Sequence, residues 1–234
     1  MDIKLVPATV TSVNEMCECG RRAFANDGLD NAVFPPRLRN PTNEEEIYKF
    51  RMERIGKRVQ SPNWHYVLAT TVPVDGHAQI VGYAGWVAPA LGNESKHKQG
   101  NDLAKDQVEE QSQVAEAENF PNGMDIDAFN FAMETVEKAK KETLGEDEQK
   151  VWYLMSLAVD PEFAGRGIAS SLVKWGLAKA DRDGLPAYLE STPAAVGMYK
   201  RLGFEELRGL HVIKDNESYF LTVMKWMPDV GTDM

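Results

Sequence analysis

The sequence contains very little cysteine. Of its 234 residues only Cys17 and Cys19 are cysteines. Two cysteines this close in sequence make a poor disulfide, and no others exist to build a disulfide framework or a four-thiolate metal site. We therefore expect a protein that works in a reducing, cytoplasmic setting, without structural disulfides.

Long apolar runs and an excess of basic residues are also missing. No stretch approaches the roughly 18 apolar residues of a membrane-spanning helix. The first residues lack the basic and then apolar pattern of a secretory signal. The net charge is -10, which argues against nucleic acid, because phosphates require a basic surface. We expect no membrane and no nucleic-acid partner.

Histidine is sparse and scattered. The four histidines show no spacing that is typical of metal ligands, and they are His65, His77, His97 and His211. No metal site is therefore expected.

The first 90 residues predict helices and strands in alternation. The predicted elements are a strand over 3–6, a helix over 11–25, a loop over 27–39, a helix with Thr42 as its N-cap that ends before Pro62, and a hairpin of strands over 64–72 and 79–87.

Residues 91–118 differ in composition from the rest of the chain. They are rich in Glu, Gln, Lys, Asn and Asp and poor in large apolar residues, so they predict a mobile polar loop or a frayed helix. Helical spacing returns over 125–144 and ends at Gly145. The polar segment interrupts one domain rather than separating two, and we predict a single domain over 1–234.

The last third of the chain has the densest pattern. It predicts a strand over 151–159, a helix from Ile168 to about 181, a strand over 187–190, a helix with Thr192 as its N-cap that ends at Gly203, and closing strands over 204–213 and 219–226.

Gly165 and Gly167 lie between a predicted strand and a predicted helix. Glycine lets a backbone approach a phosphate closely, and a helix N-terminus offers unpaired N–H groups and a positive dipole. Residues 164–170 therefore indicate an anion site, although a tight structural turn explains two neighbouring glycines about as often. Arg166 either adds a positive charge to such a site or is a solvated loop residue.

A dinucleotide-binding fingerprint, G-x-G-x-x-G, is partly matched by the same residues, and Glu190 lies where a ribose-binding acid would be. Ser170 occupies the third glycine position, however. Only about 40 residues follow Glu190, too few for the remaining strand–helix units of a doubly wound sheet. A P-loop is excluded because no Gly-Lys-Ser/Thr follows.

Two motifs in this region resemble those of one enzyme family. Residues 157–170 read Leu-Ala-Val-Asp-Pro-Glu-Phe-Ala-Gly-Arg-Gly-Ile-Ala-Ser, and residues 195–204 read Ala-Val-Gly-Met-Tyr-Lys-Arg-Leu-Gly-Phe. The first resembles the acetyl-CoA motif Gln/Arg-x-x-Gly-x-Gly/Ala of the GNAT superfamily of N-acetyltransferases, and the second its A-x-x-h-Tyr-x-x-x-Gly-Phe motif. Ala164 departs from the usual Gln or Arg, which could lower cofactor affinity unless Arg166 compensates. The chain looks most like fungal-type small-molecule members.

The resemblance implies a fold and a co-substrate. The fold is an α/β, GNAT-like, mixed and mostly antiparallel central sheet flanked by helices, with a V-shaped splay between strands four and five. Acetyl-CoA is the implied co-substrate, its pantetheine arm in the splay and its pyrophosphate at the glycine loop. A backbone N–H near Leu157 would polarise the thioester carbonyl. The implied cofactor-binding residues are Leu157, Ala158, Val159, Ala164, Gly165, Arg166, Gly167, Ile168, Ala169, Ser170 and Thr192.

Two catalytic candidates follow from the resemblance. Tyr199 matches the tyrosine that points its hydroxyl at the CoA sulfur, where it would stabilise or protonate the departing thiolate. Full proton transfer from tyrosine to a thiolate is uphill by about 2 kcal/mol, so a strong hydrogen bond is at least as plausible. Some family members carry a Glu base on the fourth strand, which has no acid here. Glu190 is the nearest candidate, and is equally well a charge at a strand end.

The predicted function is transfer of acetyl from acetyl-CoA to a small primary amine, by direct attack in a ternary complex, in a monomer or homodimer. Two alternatives remain open. One is a protein or peptide N-acetyltransferase, whose acidic insert would recognise a basic chain. The other is a non-catalytic acyl-CoA-binding module.

Overall fold

The computed structural model describes residues 2–71, 78–90, 120–214, 216 and 218–229. The polar segment over 91–118 therefore lies outside the described residues. Among the helices of the described ranges, none is both long and apolar enough to cross a membrane.

In the described part of the chain, a seven-stranded sheet forms the centre, in the order β1-β2-β3-β4-β5-β7-β6. Its neighbouring strands run antiparallel except for β4 and β5, which are parallel. The strands are β1 Ile3–Pro7, β2 Trp64–Thr71, β3 Ile80–Val87, β4 Trp152–Val159, β5 Ala187–Ser191, β6 Glu205–Leu210 and β7 Leu221–Trp226. The predicted mixed, mostly antiparallel sheet is confirmed.

The strands β4 and β5 separate soon after they meet. They pair through Trp152 with Ala187 and Tyr153 with Tyr188. Beyond this point β4 continues along β3, and β5 continues along β7. The result is a wedge-shaped cleft inside the sheet, which is the predicted splay.

Helices cover both faces of the sheet. They are α1 Val13–Ala23, α2 Gly28–Val33, α3 Pro41–Gln60, α4 Ile126–Leu144, α5 Ile168–Asp183 and α6 Val196–Arg201. On one face, side chains of α5 and α6 pack around Trp86 and Leu189. On the opposite face, α1 and α3 pack around Tyr66 and Tyr83, and α4 packs around Tyr188.

The prediction of a loop over 27–39 is wrong. This segment contains α2 and a 3-10 turn, Pro36–Leu38. The carboxylate of Asp27 accepts hydrogen bonds from the N–H groups of Leu29 and Asp30. The aspartate that suggested a loop is therefore the N-cap of a helix, a position at which aspartate is strongly favoured.

Two predicted N-caps are also wrong. The helix α3 begins at Pro41, and its N-cap is Asn40, which accepts from Asn43 N–H, rather than Thr42. Asparagine caps at least as well as threonine, and proline suits the first helical position. Thr192 does not cap α6, because residues 192–195 form a separate turn and the helix begins at Val196.

Candidate active site

The loop between β4 and α5 has two glycines in the left-handed region. Gly165 has φ +73° and Gly167 has φ +76°, conformations that other residues adopt only with strain. A Cβ at either position would meet no atom within 4 Å, so the space beside both is open. Gly167 is the N-cap of α5 and brings no side chain to its first turn. The unpaired N–H groups there, over 168–170, form a cradle suited to an anion.

The neighbours of these glycines add little polar chemistry of their own. Ala164 is exposed and offers backbone groups alone. The guanidinium of Arg166 lies 5.2 Å from the centre of the Phe163 ring and donates to the carbonyl of Glu162 at 3.4 Å. Its charge is therefore held against Phe163 and Glu162, which precede the two glycines, and its role in anion binding stays a prediction.

Asp160 fixes the start of this loop, and sequence analysis missed its role. It is 1% exposed and accepts hydrogen bonds from the N–H of Glu162 and, at 2.7 Å, from Nε of Arg22 on α1. In the sequence Asp160 is only the residue that follows the predicted strand over 151–159. The contact with Arg22 joins residues 138 apart in the chain, which local patterns do not reveal.

The strand β4 presents its backbone to the cleft. Gly85 pairs with Ser156 and Trp86 with Leu154, so Met155 is an extra residue, a β-bulge. Leu157 and Val159 are partly exposed, and Ala158 is buried, although β4 is a central strand. Because β5 has separated here, an extended ligand can pair with this edge as an added strand would.

Tyr199 lies on the face of the sheet that α5 and α6 cover. Its ring packs edge-to-face on Phe204, with centroids 5.5 Å apart, and lies in the same cluster as Leu189 of β5. Burial raises the pKa of Tyr199 above its ordinary value. The phenol therefore stays protonated, and complete proton transfer to a thiolate becomes still less favourable than donation of a hydrogen bond.

Glu190 lies on the opposite face of β5, because successive side chains of a strand alternate. Tyr153 donates a hydrogen bond to Glu190 Oε2 at 2.8 Å. Burial raises the pKa of Glu190 to about 7, against the opposing effects of Tyr153, of the nearby Tyr188 hydroxyl and of the Lys140 charge. A carboxyl group with this pKa exchanges a proton readily at neutral pH.

Unpaired polar atoms gather on that same face. Within the described residues, Ser156 Oγ, the Tyr188 hydroxyl and Glu190 Oε1 are buried without a hydrogen-bond partner. Buried polar atoms are normally satisfied. The Tyr188 hydroxyl lies near the Glu190 carboxyl group and lowers its pKa, so a small movement, or a bound polar group, would satisfy both of these atoms.

Two different chemical groups therefore lie on opposite faces of the sheet beside the cleft. Tyr199, a hydrogen-bond donor, lies on the face of α5 and α6, and Glu190, a candidate base, lies on the face of α4. The predicted glycine-loop residues and the edge of β4 are brought together along the first side. Thr192 follows β5 directly, and its carbonyl accepts from the Ser191 hydroxyl at 2.9 Å.

Other routes to group transfer have weaker support. Cys17 and Cys19 are buried, and burial raises the pKa of both thiols to about 11. Neither is a thiolate nucleophile at neutral pH. In the ranges that the structure describes, no group of three or more His, Cys, Asp or Glu side chains is placed to hold a metal ion.

Comparison with known proteins bears directly on this arrangement. Residues 131–204 match the sequence model of the acetyltransferase (GNAT) family. The resemblance to the GNAT family is confirmed. The matched span includes β4, the glycine loop, α5, β5 and α6, and we call this part of the chain, residues 152–204, the GNAT segment because of that similarity.

Relatives in sequence cover part of the chain. One is an uncharacterized N-acetyltransferase of Schizosaccharomyces pombe, 28% identical over 102 residues, which are 43% of this chain and 41% of the relative. Another, named probable acyltransferase SID5, of Ajellomyces capsulatus, is 45% identical over 49 residues, 21% of this chain and 36% of the relative. The matches thus span about two fifths of these relatives' lengths.

Solved structures show the same GNAT fold over nearly the whole chain. A Drosophila melanogaster polyamine N-acetyltransferase has a TM-score of 0.63 at 15% identity, covering 97% of this chain and 100% of that one. A Corynebacterium glutamicum histone acetyltransferase HPA2 and related acetyltransferase has a TM-score of 0.59 at 20% identity, covering 99% of both. At such identities the likeness establishes the fold alone.

Proposed function

We propose that this protein transfers an acetyl group from acetyl-CoA to a small primary amine, by direct attack of the amine in a ternary complex. The observation that carries the proposal is the cleft between β4 and β5, with an anion cradle at one end, Tyr199 on one face and Glu190 on the other.

Acetyl-CoA fits the residues along the first side of the cleft. The open space beside Gly165 and Gly167 admits a pyrophosphate to the start of α5, with Arg166 adjacent. The free edge of β4 over Leu157, Ala158 and Val159 suits the amide groups of pantetheine, and a backbone N–H near Leu157 polarises the thioester carbonyl. Thr192 lies at the end of the opposite strand.

The acid and base roles are divided between the two faces. An alkylammonium is mostly protonated at pH 7, and removing its proton costs about 4.6 kcal/mol. Glu190, with a pKa of about 7, accepts that proton directly or through a water molecule. Tyr199 donates a hydrogen bond to the sulfur as the thiolate leaves, because its own pKa is raised by burial.

The buried carboxyl group of Glu190 suits an amine acceptor, and small amines are the acceptors named for some of the fold neighbours. Arylalkylamine and polyamine N-acetyltransferases share the fold. A ribosomal-protein alanine N-acetyltransferase shares it too, so acetylation of a protein or peptide is the second candidate. A non-catalytic acyl-CoA-binding module is the third, and the retained Tyr199 argues against it.

Mass spectrometry of acetylated products tests the proposal. The protein is incubated with acetyl-CoA and either a panel of small primary amines or a panel of peptides with free amines. We expect acetylation of a small amine with stoichiometric release of CoA, and intersecting lines in two-substrate kinetics. Acetylation confined to peptides would support the second candidate. Binding of acetyl-CoA without turnover on either panel would support the third and contradict the proposal.

The cellular setting and the assembly state remain predictions. The cytoplasmic location rests on the cysteine content, and the monomer or homodimer on the resemblance. The likeness to fungal-type small-molecule members also stays a prediction, as does the single-domain organisation.

A further inference from the structure

The contact between Tyr153 and Glu190 shows how the carboxylate is held. Tyr153 is the last residue of β4 to pair with β5, opposite Tyr188, and Glu190 lies two residues further along β5. The Tyr153 hydroxyl donates to Glu190 Oε2 at 2.8 Å, whereas Oε1 has no hydrogen-bond partner in the described part of the chain. We propose that Tyr153 is a positioning residue, which holds one oxygen of Glu190 so that the other faces the acceptor amine. The catalytic part of this inference rests on the proposed function.

The ring of Tyr153 is itself held in place. Its centroid lies 5.7 Å from that of Tyr188, and the ammonium of Lys140 on α4 lies 4.9 Å from it. Lys140 is in turn paired with Glu148 at 3.2 Å. The phenol hydroxyl is therefore presented to Glu190 by packing on two sides rather than by a flexible chain.

Groups on several elements determine when Glu190 carries its charge. Burial raises its pKa to about 7, and the Tyr153 hydrogen bond, the Tyr188 hydroxyl and the Lys140 charge each lower it from the value that burial alone would give. Further from Glu190, the positive charge of Arg58 on α3 lowers the pKa of Tyr153 from the value that burial alone would give. Removing the Tyr153 hydroxyl therefore raises the pKa of Glu190 further. A role in packing alone would leave this pKa unchanged.

The variant Tyr153→Phe tests the inference, because it keeps the ring contacts and removes one hydroxyl. Titration of ¹³C-labelled glutamate carboxyl groups by NMR should show the Glu190 midpoint near 7 in the parent, and about one pH unit higher in the variant. The Glu190→Gln variant identifies the signal, since its midpoint disappears.

Kinetics on an accepted amine give a second readout. The kcat/KM of Tyr153→Phe should be at least about fivefold below that of the parent at pH 7, and the difference should become smaller at higher pH, where Glu190 is ionised in both proteins. The amine's own ionisation cancels in this comparison. Tyr83→Phe is the matched control, because Tyr83 is a buried tyrosine on the same face without a bond to Glu190. It should leave both readouts unchanged.

The possible failures are distinguishable. An unchanged Glu190 midpoint in Tyr153→Phe would overturn the positioning role, because the hydroxyl that is removed would then not be holding the carboxyl group. A parent protein that acetylates no amine would overturn the proposed function, and with it the catalytic part of the inference. The NMR midpoint would still show whether Tyr153 holds the carboxylate.

Discussion

Tyr199 is expected to act through a single hydroxyl group. Tyr199→Phe removes it and keeps the ring against Phe204. Negative charge develops on sulfur only as the thioester breaks, so the lost hydrogen bond affects the transition state and not the binding of acetyl-CoA. We expect kcat to fall about a hundredfold, equivalent to about 3 kcal/mol, with an unchanged Kd for acetyl-CoA.

Steady-state kinetics and calorimetry measure these two quantities. Tyr48→Phe provides the control, since Tyr48 lies on α3 and bonds to Asn14, away from the cleft. It should have normal kcat. Near-normal turnover of Tyr199→Phe would instead mean that this tyrosine serves packing, and that water protonates the thiolate.

Glu190 should make the stability of the protein depend on pH. Its pKa is about 7 in the folded state, above the unfolded value of about 4.3. Between these values the unfolded chain has released the proton and the folded chain has kept it, so stability falls as pH rises and the loss is complete above pH 7. Glu190→Gln removes this loss.

Urea denaturation of the parent and Glu190→Gln at several pH values measures the effect. The variant should gain stability relative to the parent between pH 4.5 and pH 8, by about 3 kcal/mol at most. The change with pH is decisive, because the amide adds a constant difference of its own. If the parent and the variant differed in stability by the same amount at pH 4.5 and at pH 8, the raised pKa of Glu190 would be contradicted.

At the scale of elements, local patterns predicted the GNAT segment well. A strand, a glycine turn and a helix follow one another over β4 and α5, and each is specified by residues that are close in sequence. The N-terminal region was less predictable, because Asp27 and Asn40 are equally common in loops and at helix starts. In the structure both side chains accept hydrogen bonds from N–H groups in the first turn of a helix, which identifies them as N-caps.

The candidate site was predictable in part for the same reason. Its glycines and Tyr199 belong to short motifs, whereas the partner of Glu190 is 37 residues away on a different strand. That contact depends on the register between β4 and β5, which no periodicity specifies. From the sequence alone, Tyr153 is one aromatic residue in a predicted strand, and nothing in its neighbours indicates a contact with Glu190.

The glycine turn before α5 gives a prediction about binding. Gly167→Val places a branched side chain in the open space at the helix start and should abolish acetyl-CoA binding by blocking the pyrophosphate. Gly184→Val is closely matched, because Gly184 is the C-cap of the same helix, has φ +65° and also faces open space. Both variants carry similar backbone strain.

Calorimetry with acetyl-CoA separates strain from obstruction. Gly184→Val should lose stability and bind as the parent does, whereas Gly167→Val should lose both stability and binding. Equal affinity of Gly167→Val and the parent would show that the pyrophosphate lies elsewhere.

At the scale of the whole molecule, the sheet separates two helix-covered faces. Helices α5 and α6 cover the face proposed for acetyl-CoA, and α1, α3 and α4 cover the face that holds Glu190. The cleft between β4 and β5 joins them. Acetyl-CoA and an amine that are bound on opposite faces could both reach this cleft, which is compatible with the proposed ternary complex.

One ion pair connects helix α1 to the sheet. Arg22 of α1 reaches Asp160, at the end of β4, with a distance of 2.7 Å between Nε and Oδ2. Asp160 is almost fully buried, while the Arg22 side chain is 38% exposed. Arg22→Met would leave the carboxylate buried without its cation, and we expect a loss of about 2 kcal/mol in the free energy of unfolding.

The same substitution should weaken acetyl-CoA binding several-fold, because Asp160 also accepts from the N–H of Glu162 and so holds the loop that leads to the glycine turn. Arg21→Met is the matched control. Arg21 is the next residue towards the N-terminus and pairs with Glu18 at the surface, where such pairs contribute less than about 1 kcal/mol. Urea denaturation and calorimetry on both variants measure the two effects.

If Arg22→Met lost stability and kept its affinity for acetyl-CoA, the ion pair would hold α1 to the end of β4 without affecting the shape of the glycine turn. If it resembled Arg21→Met in both, α1 and the loop would be held together by packing alone.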